Sequence, residues 1–239
     1  MKTSFRNVMI GIVFGGICLL SSVPAHAVSI KLFEENSGAL VVVTDNGVGD
    51  LNPMVGAVVF TGPVGNVILD LTTGLSKPLI GNSNSAMLTL TQLAVTAMQP
   101  ARLTVSLTDT GFTVPAMPMA SFLSEIGGVL TGTGGSVEAW SYVDLDNAPF
   151  GTGGSSLYHG VFGPGAFADS LGTSFVNNGS PFSMTQVALM KLNPYSVVSF
   201  DAHSKVPEPS AMLLMGTGLI VLAVWGRRRL VRQQEITTA

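Results

Sequence analysis

From Arg102 to Thr108 the chain alternates without a slip. Leu103, Val105 and Leu107 fall on one face, and Arg102, Thr104, Ser106 and Thr108 on the other. A two-residue period makes a strand with one face in a core and the other in solvent. The period returns at Asn66–Leu71, with Val67, Leu69 and Leu71 on one face. It returns at Val137–Asp146, where Val137, Ala139, Ser141, Val143 and Leu145 oppose Glu138, Trp140, Tyr142, Asp144 and Asp146. Near the end, Val198, Phe200 and Ala202 alternate with Val197, Ser199 and Asp201. Leu40–Val43 and Ala57–Thr61 are apolar runs that suit central strands.

Turn residues separate these runs. Asp45-Asn46-Gly47, Thr110-Gly111 and Asn177-Asn178-Gly179 tolerate positive φ, and Gly151–Ser156 reads as a flexible loop. Helix is scarce. Its best stretch is Ala120–Ile126, with Phe122 and Ile126 one turn apart and Gly127-Gly128 as a stop. Many strands at short spacing predict an all-β fold, a β-sandwich of jelly-roll or Ig-like connectivity, with a barrel as the alternative. Two segments are alike: Leu90-Thr91-Gln92-Leu93-Ala94-Val95 and Met184-Thr185-Gln186-Val187-Ala188-Leu189. In both, the apolar parity flips across the Thr-Gln pair. A β-bulge there would restore the inward face; coincidence in a Thr-rich strand protein is the other explanation.

Composition narrows the function. With 239 residues the chain has room for one domain plus signals. Charged residues make up only 10% of it, yet 46% is apolar, enough for a core. Residues 28–206 hold 5 basic and 12 acidic side chains, a net charge of −7. That argues against a nucleic-acid partner, which needs a basic surface. The single cysteine, Cys18, lies in the N-terminal apolar run, behind a bulky Ile17 that suits no lipobox. Residues after that run can form no disulfide and no thiolate metal site.

The two ends read as signals. Lys2 and Arg6 precede the apolar run Val8–Leu20, and Ala25-His26-Ala27 after Pro24 is an A-x-A cleavage pattern, so residues 1–27 are expected to be a signal peptide. At the other end comes Val206-Pro207-Glu208-Pro209-Ser210, which its prolines keep extended. The uncharged span 211–225 follows, closing on Trp225, and then Arg227, Arg228 and Arg229, a stop that stays in the cytoplasm with the tail 230–239. Fifteen residues reach roughly 22 Å, short of a hydrocarbon core of ~30 Å. Such a span suits a temporary transmembrane anchor.

The order VPEPS, apolar span, arginine cluster over Val206–Arg229 resembles the PEP-CTERM sorting domain. The resemblance implies a transient partner, the membrane-embedded exosortase, cutting near Pro207-Glu208-Pro209. It implies a domain of residues 28–205 on the outer side of the inner membrane. After processing, that domain is expected at the cell surface, in the medium or in an exopolysaccharide matrix. The middle region is also similar to a recurring group of PEP-CTERM ectodomains. Asp109-Thr110-Gly111-Phe112, Phe162-Gly163-Pro164-Gly165-Ala166-Phe167, Ser183-Met184-Thr185-Gln186-Val187 and Ser199-Phe200-Asp201-Ala202 carry that likeness, which implies a domain and no mechanism.

Chemistry is harder to find. His203 reads as an exposed linker residue and His159 as a loop or core-edge residue, and no Ser/His/Asp set emerges. Glu125, Glu138, Asp144 and Asp146 are the carboxylates a glycosidase would need, but a solvated face explains them. Asp45 and Asp50 in one Gly-rich loop, and Asp144 and Asp146 in another, are candidate calcium ligands. Their spacing is not that of an EF-hand, and Asp and Asn are default turn residues. Trp140 and Tyr142 share a strand face and are candidates for a glycan platform. The expectation is an exported structural protein of the surface or matrix, not an enzyme and without a cofactor. The alternative is a carbohydrate- or calcium-binding module.

Overall fold

The alternating segments become strands in the computed structural model, which describes residues 27–114, 117–207 and 218. In chain order they are β1 (Ser29–Glu34), β2 (Ala39–Thr44), β3 (Ala57–Val64), β4 (Val67–Leu75), β5 (Ala86–Ala97) and β6 (Ala101–Phe112). Then come β7 (Met117–Thr131), β8 (Gly135–Asp144), β9 (Ser155–Phe162), β10 (Gly165–Asn177), β11 (Phe182–Leu192) and β12 (Val197–Val206). They form two antiparallel six-stranded sheets: sheet A, ordered β2-β1-β6-β11-β8-β9, and sheet B, ordered β10-β7-β12-β5-β4-β3. Hairpins join β1 to β2, β3 to β4 to β5, and β8 to β9; every other connection passes between sheets. The last two strands fill central places, β11 between β6 and β8, and β12 between β5 and β7.

One core lies between the sheets. Leu103, Val105 and Leu107 of β6 are fully buried, as are Leu88, Leu90, Leu93 and Val95 of β5. Each such side chain contributes about 1.5–3 kcal/mol. Phe112, Phe175 and Phe182 meet with ring centroids 5.7 and 5.6 Å apart. The packing leaves no room at Gly74, where an added Cβ would lie 2.3 Å from Leu107 and 3.0 Å from Val58.

Several details depart from the sequence reading. Ala120–Ile126 is not a helix but part of β7, paired with β10 on one side and β12 on the other. Phe122 and Ile126 are four residues apart, a spacing that shares a face in a strand as well as in a helix. Gly127 and Gly128 continue the strand, and Gly128 packs against Phe167 and the Ser199 carbonyl. The barrel alternative is not formed, because among the described residues no strand pairing joins the edges of the two sheets. The runs at Leu40–Val43 and Ala57–Thr61 lie on edge strands rather than central ones. Leu71 faces outward and Thr72 inward, because the register slips between Phe60 and Gly62 on the neighbouring strand. β8 stops at Asp144, so Leu145 sits exposed in the turn beyond it while Asp144 is buried.

The repeated Thr-Gln pair splits. In β5 a bulge does sit at Thr91–Gln92: Phe200 pairs with Leu93 and Ala202 with Leu90, leaving both residues opposite Asp201. Gln92 has φ 58, and Leu90 and Leu93 both stay in the core. In β11 the register runs unbroken from Met184 to Leu192, so Gln186 turns into the core instead.

Candidate functional site

β12 leads straight out of the fold. Val198, Phe200, Ala202, Ser204 and Val206 point inward and are buried, and pairing continues to Val206↔Ala86 and Lys205↔Leu123. Pro207 follows the strand directly. Glu208 and Pro209, the span 211–225 apart from Gly218, Arg227, Arg228 and Arg229, and Ala25 lie outside the described residues. Ala27 is half-buried, and its carbonyl accepts a hydrogen bond from the Ser29 hydroxyl at 3.2 Å. Among the described residues no helix is long and apolar enough to cross a membrane.

The acidic loops are tied to the backbone. Asp45 accepts from the Gly56 N–H at 2.7 Å and from the Asn46 amide at 2.7 Å. Asp50 accepts from the N–H groups of Asn46, Asn52 and Val59 at 2.8–3.0 Å. Asp144 accepts from the Ala148 N–H at 3.2 Å, and Asp146 is exposed. Asp45 and Asp50 lie in the loop after β2, and Asp144 and Asp146 at and just past the end of β8; three strands separate those two strand ends in sheet A, roughly 19 Å at the usual strand spacing. Among the described residues no three His, Cys, Asp or Glu side chains are grouped to hold a metal ion.

Trp140 and Tyr142 share the outer face of sheet A, and both are half-buried. Burial also pushes the Tyr142 hydroxyl above its ordinary pKa. Trp140 stacks not on Tyr142 but on Tyr158 of the next strand, at 5.2 Å and 23° between planes. The loop 145–154 folds over the same face. The Phe150 N–H donates to Thr108 Oγ1 at 3.1 Å, and the Lys31 ammonium lies 4.5 Å from the Phe150 ring.

Three polar groupings were not foreseen from sequence. In the first, Asp169 Oδ2 lies 2.9 Å from His159 Nδ1, and His159 Nε2 lies 3.0 Å from Ser124 Oγ. This is the order of a Ser-His-Asp relay. Ser124 has no exposed surface, however, and its hydroxyl continues inward to Ser141 at 2.7 Å and Ser204 at 3.3 Å. Gln186 Nε2 closes the chain by donating to Ser204 at 2.9 Å and to the Leu88 carbonyl at 3.1 Å, while its Oε1 has no partner among the described residues. Its six side chains come from six strands, β7 to β12, and tie both sheets together across the core. It uses one residue from each of several distant segments, so no local motif announces it.

The second grouping is a buried ion pair. Asp109 is fully buried, 2.8 Å from the Lys77 ammonium, and accepts from Ser76 Oγ at 2.6 Å and the Thr110 N–H at 2.7 Å. Lys77 also caps the Phe112 ring at 4.1 Å and donates to the Thr110 carbonyl. This explains why Asp109 and Phe112 sit together in the Asp109-Thr110-Gly111-Phe112 segment. The third is Glu34, buried under the N–H groups of Asn36, Ser37 and Arg102 at 2.9–3.2 Å. Burial alone would raise its pKa. The hydrogen bonds from Ser37, Arg102 and Asn36 together outweigh that and hold it below the usual carboxylate value.

His203 is not a linker residue. It lies half-buried in β12, with Nδ1 2.7 Å from Thr89 Oγ1 and Glu125 as its register partner on β7. Burial and the nearby Lys205 lower its pKa, and Glu125 offsets this in part.

A family model of the PEP-CTERM protein-sorting motif matches residues 205–229. The chain carries a PEP-CTERM sorting motif. That motif is the recognition signal of exosortase, and proteins that bear it are exported and membrane-anchored before processing. Here the motif begins within the last two residues of β12. No curated protein matches the chain. Among solved structures its fold is similar to TmCBM61 in complex with β-1,4-galactotriose (10% identity, 67% of this chain and 92% of that one, TM-score 0.30). It is similar to TmCBM27, a carbohydrate-binding module with specific mannan recognition (12%, 64% and 95%, 0.30), and to the VP2 subviral particle of infectious bursal disease virus (13%, 79% and 54%, 0.32). At these identities and scores the likeness bears on neither ligand nor activity.

Proposed function

We propose that the chain is an exported structural protein, held at the inner membrane through the span 211–225, with residues 28–205 on the periplasmic side, until exosortase cuts beside Pro207-Glu208-Pro209. It is then a component of the cell surface or of an extracellular, exopolysaccharide-containing matrix. The observation that carries this is the sorting motif at residues 205–229, starting where the fold ends. Every bond inside β12 lies in a strand paired on both sides. An enzyme groove cannot take such a bond without unzipping the centre of sheet B, so the cut falls at or beyond Pro207. We read the protein as non-catalytic; in support, the Ser-His-Asp relay among the described residues ends on Ser124, which has no exposed surface for a substrate to reach. The sandwich is of the jelly-roll kind, since the order β10-β7-β12-β5 places the last strand between two earlier ones, as Greek-key connections do.

The test is Glu208→Ala in the native host. Full-length protein accumulating in the inner-membrane fraction is expected. Normal maturation and release of that variant would overturn the sorting reading. A second reading, a carbohydrate-binding module at the surface, draws support from the stacked Trp140–Tyr158 pair, of which Tyr158 is 50% exposed.

A further inference from the structure

The outer face of sheet B holds a hollow of about 270 Å³ where β7, β12 and β5 run side by side. Its lining falls in two rows. Glu125, His203 and Thr89 are register partners across the three strands, and the next row is Gly127, Asp201 and the Thr91–Gln92 bulge. Gly127 makes the depth: it leaves its row without a side chain, and a Cβ there would meet nothing closer than 3.8 Å. Beside it the bulge breaks the even pleat of β5. Leu90, Ile126 and Ala202 also border the hollow, but their side chains turn into the core. The surface it offers is therefore a few polar groups set around bare backbone and apolar carbon.

Those polar groups have capacity to spare. Asp201 Oδ1 accepts from Thr91 Oγ1 at 2.8 Å and from the Gln92 N–H at 2.9 Å, which holds the bulge and leaves Oδ2 for another donor. Glu125 is exposed and takes part in no ion pair among the described residues. His203 uses Nδ1 on Thr89, at 2.7 Å. Two carboxylates repel a phosphate or another anion. No three described acidic or histidine side chains are grouped for a metal ion. A ligand that donates several neutral hydrogen bonds from a compact body fits both the volume and the chemistry. Hydrogen bonds from hydroxyls to carboxylates are the strong, charge-assisted kind.

We propose that this hollow binds one unit of a neutral saccharide, with Glu125 and Asp201 accepting from its hydroxyls, His203 and Thr91 completing the set, and Gly127 giving the ring room to lie against the sheet. The proposal rests on the reading of the chain as a surface or matrix protein, and it sharpens the carbohydrate-binding alternative by moving the site. The aromatic face of sheet A is the rival position, but there Tyr158 already occupies one face of Trp140.

Saturation-transfer NMR on the full chain in detergent tests this, with methyl glycosides of glucose, galactose, mannose and N-acetylglucosamine as probes at millimolar concentration. At least one is expected to receive saturation. Gly127→Val, which fills the hollow at a position with space for a side chain, is expected to abolish the signal. Glu125→Gln, at an exposed site, is expected to weaken binding about ten- to a hundredfold, the loss of one charge-assisted hydrogen bond. Three results would overturn the site: no saturation of any probe, binding by Gly127→Val equal to wild type, or loss of binding through Trp140→Ala alone. Saturation of a lysine methyl ester in place of every sugar would also overturn it, by making the hollow a cation site. Sorting is read separately, from chain size in the host, so failure here leaves the sorting reading standing.

Discussion

Removing the Asp109 carboxylate should cost the fold more than any other single polar change. Asp109→Ala leaves the Lys77 ammonium, whose side chain is only 15% exposed, without its counter-charge. It also removes one acceptor of Ser76 Oγ, which keeps the Met87 carbonyl at 3.1 Å, and the carboxylate acceptor of the Thr110 N–H. Breaking a buried pair from one side costs about 3–5 kcal/mol, and each further hydrogen bond lost costs about 0.5–1.5 kcal/mol. The three losses belong to one network and will not add in full, so about 4–5 kcal/mol is expected. Against a total stability of about 5–15 kcal/mol, that is a large fraction. Urea unfolding followed by Trp140 fluorescence measures it. Lys77→Met should cost a similar amount, because it leaves the carboxylate buried alone. The double variant Asp109→Leu/Lys77→Met should recover much of either loss, since an apolar pair carries no desolvation penalty. If each single variant costs less than about 1 kcal/mol, as at exposed ion pairs, the pair is solvated and the reasoning fails.

Two further changes probe the core and its pH dependence. Glu34 has a folded pKa below its ordinary 4.5, so its contribution is complete above that value and is lost as pH falls through the folded pKa. Glu34→Gln should lower stability at neutral pH and flatten the decline on acidification, measured by urea midpoints across that range; an unchanged acid slope would refute the assignment. Gly74→Ala should cost about 1–3 kcal/mol by overpacking, because its Cβ would press on Leu107 and Val58 from opposite sheets; a thermal midpoint equal to wild type would show that the sheets give way there.

The sequence announced what is local. The alternation at Arg102–Thr108 and Val197–Ala202 is an inward face read correctly, because side-chain direction in a strand follows from parity alone. The parity flip at Thr91–Gln92 likewise revealed a bulge. The same flip at Thr185–Gln186 did not, because the core there holds hydroxyls from Ser124, Ser141 and Ser204 that make an inward Gln186 affordable without a register change. Edge and centre were confused at β2 and β3 for a related reason. An apolar run states that both faces have apolar side chains, not how many neighbours the strand has. Phe122 and Ile126 suit either helix or strand, and only the partners β10 and β12, far away in the chain, decide between them. His203 showed no partner in sequence because Thr89 and Glu125 reach it across two strand pairings. The sorting motif was legible for the opposite reason: its three parts are contiguous.

The most direct test is the C-terminus of the mature protein, read by mass spectrometry after purification from the surface and medium of the native host. The account predicts a terminus at or beyond Pro207 and before Arg227, so that β12 stays whole at the centre of sheet B. A mature chain ending upstream of Val206, or one that still carries Arg227-Arg228-Arg229, would contradict it.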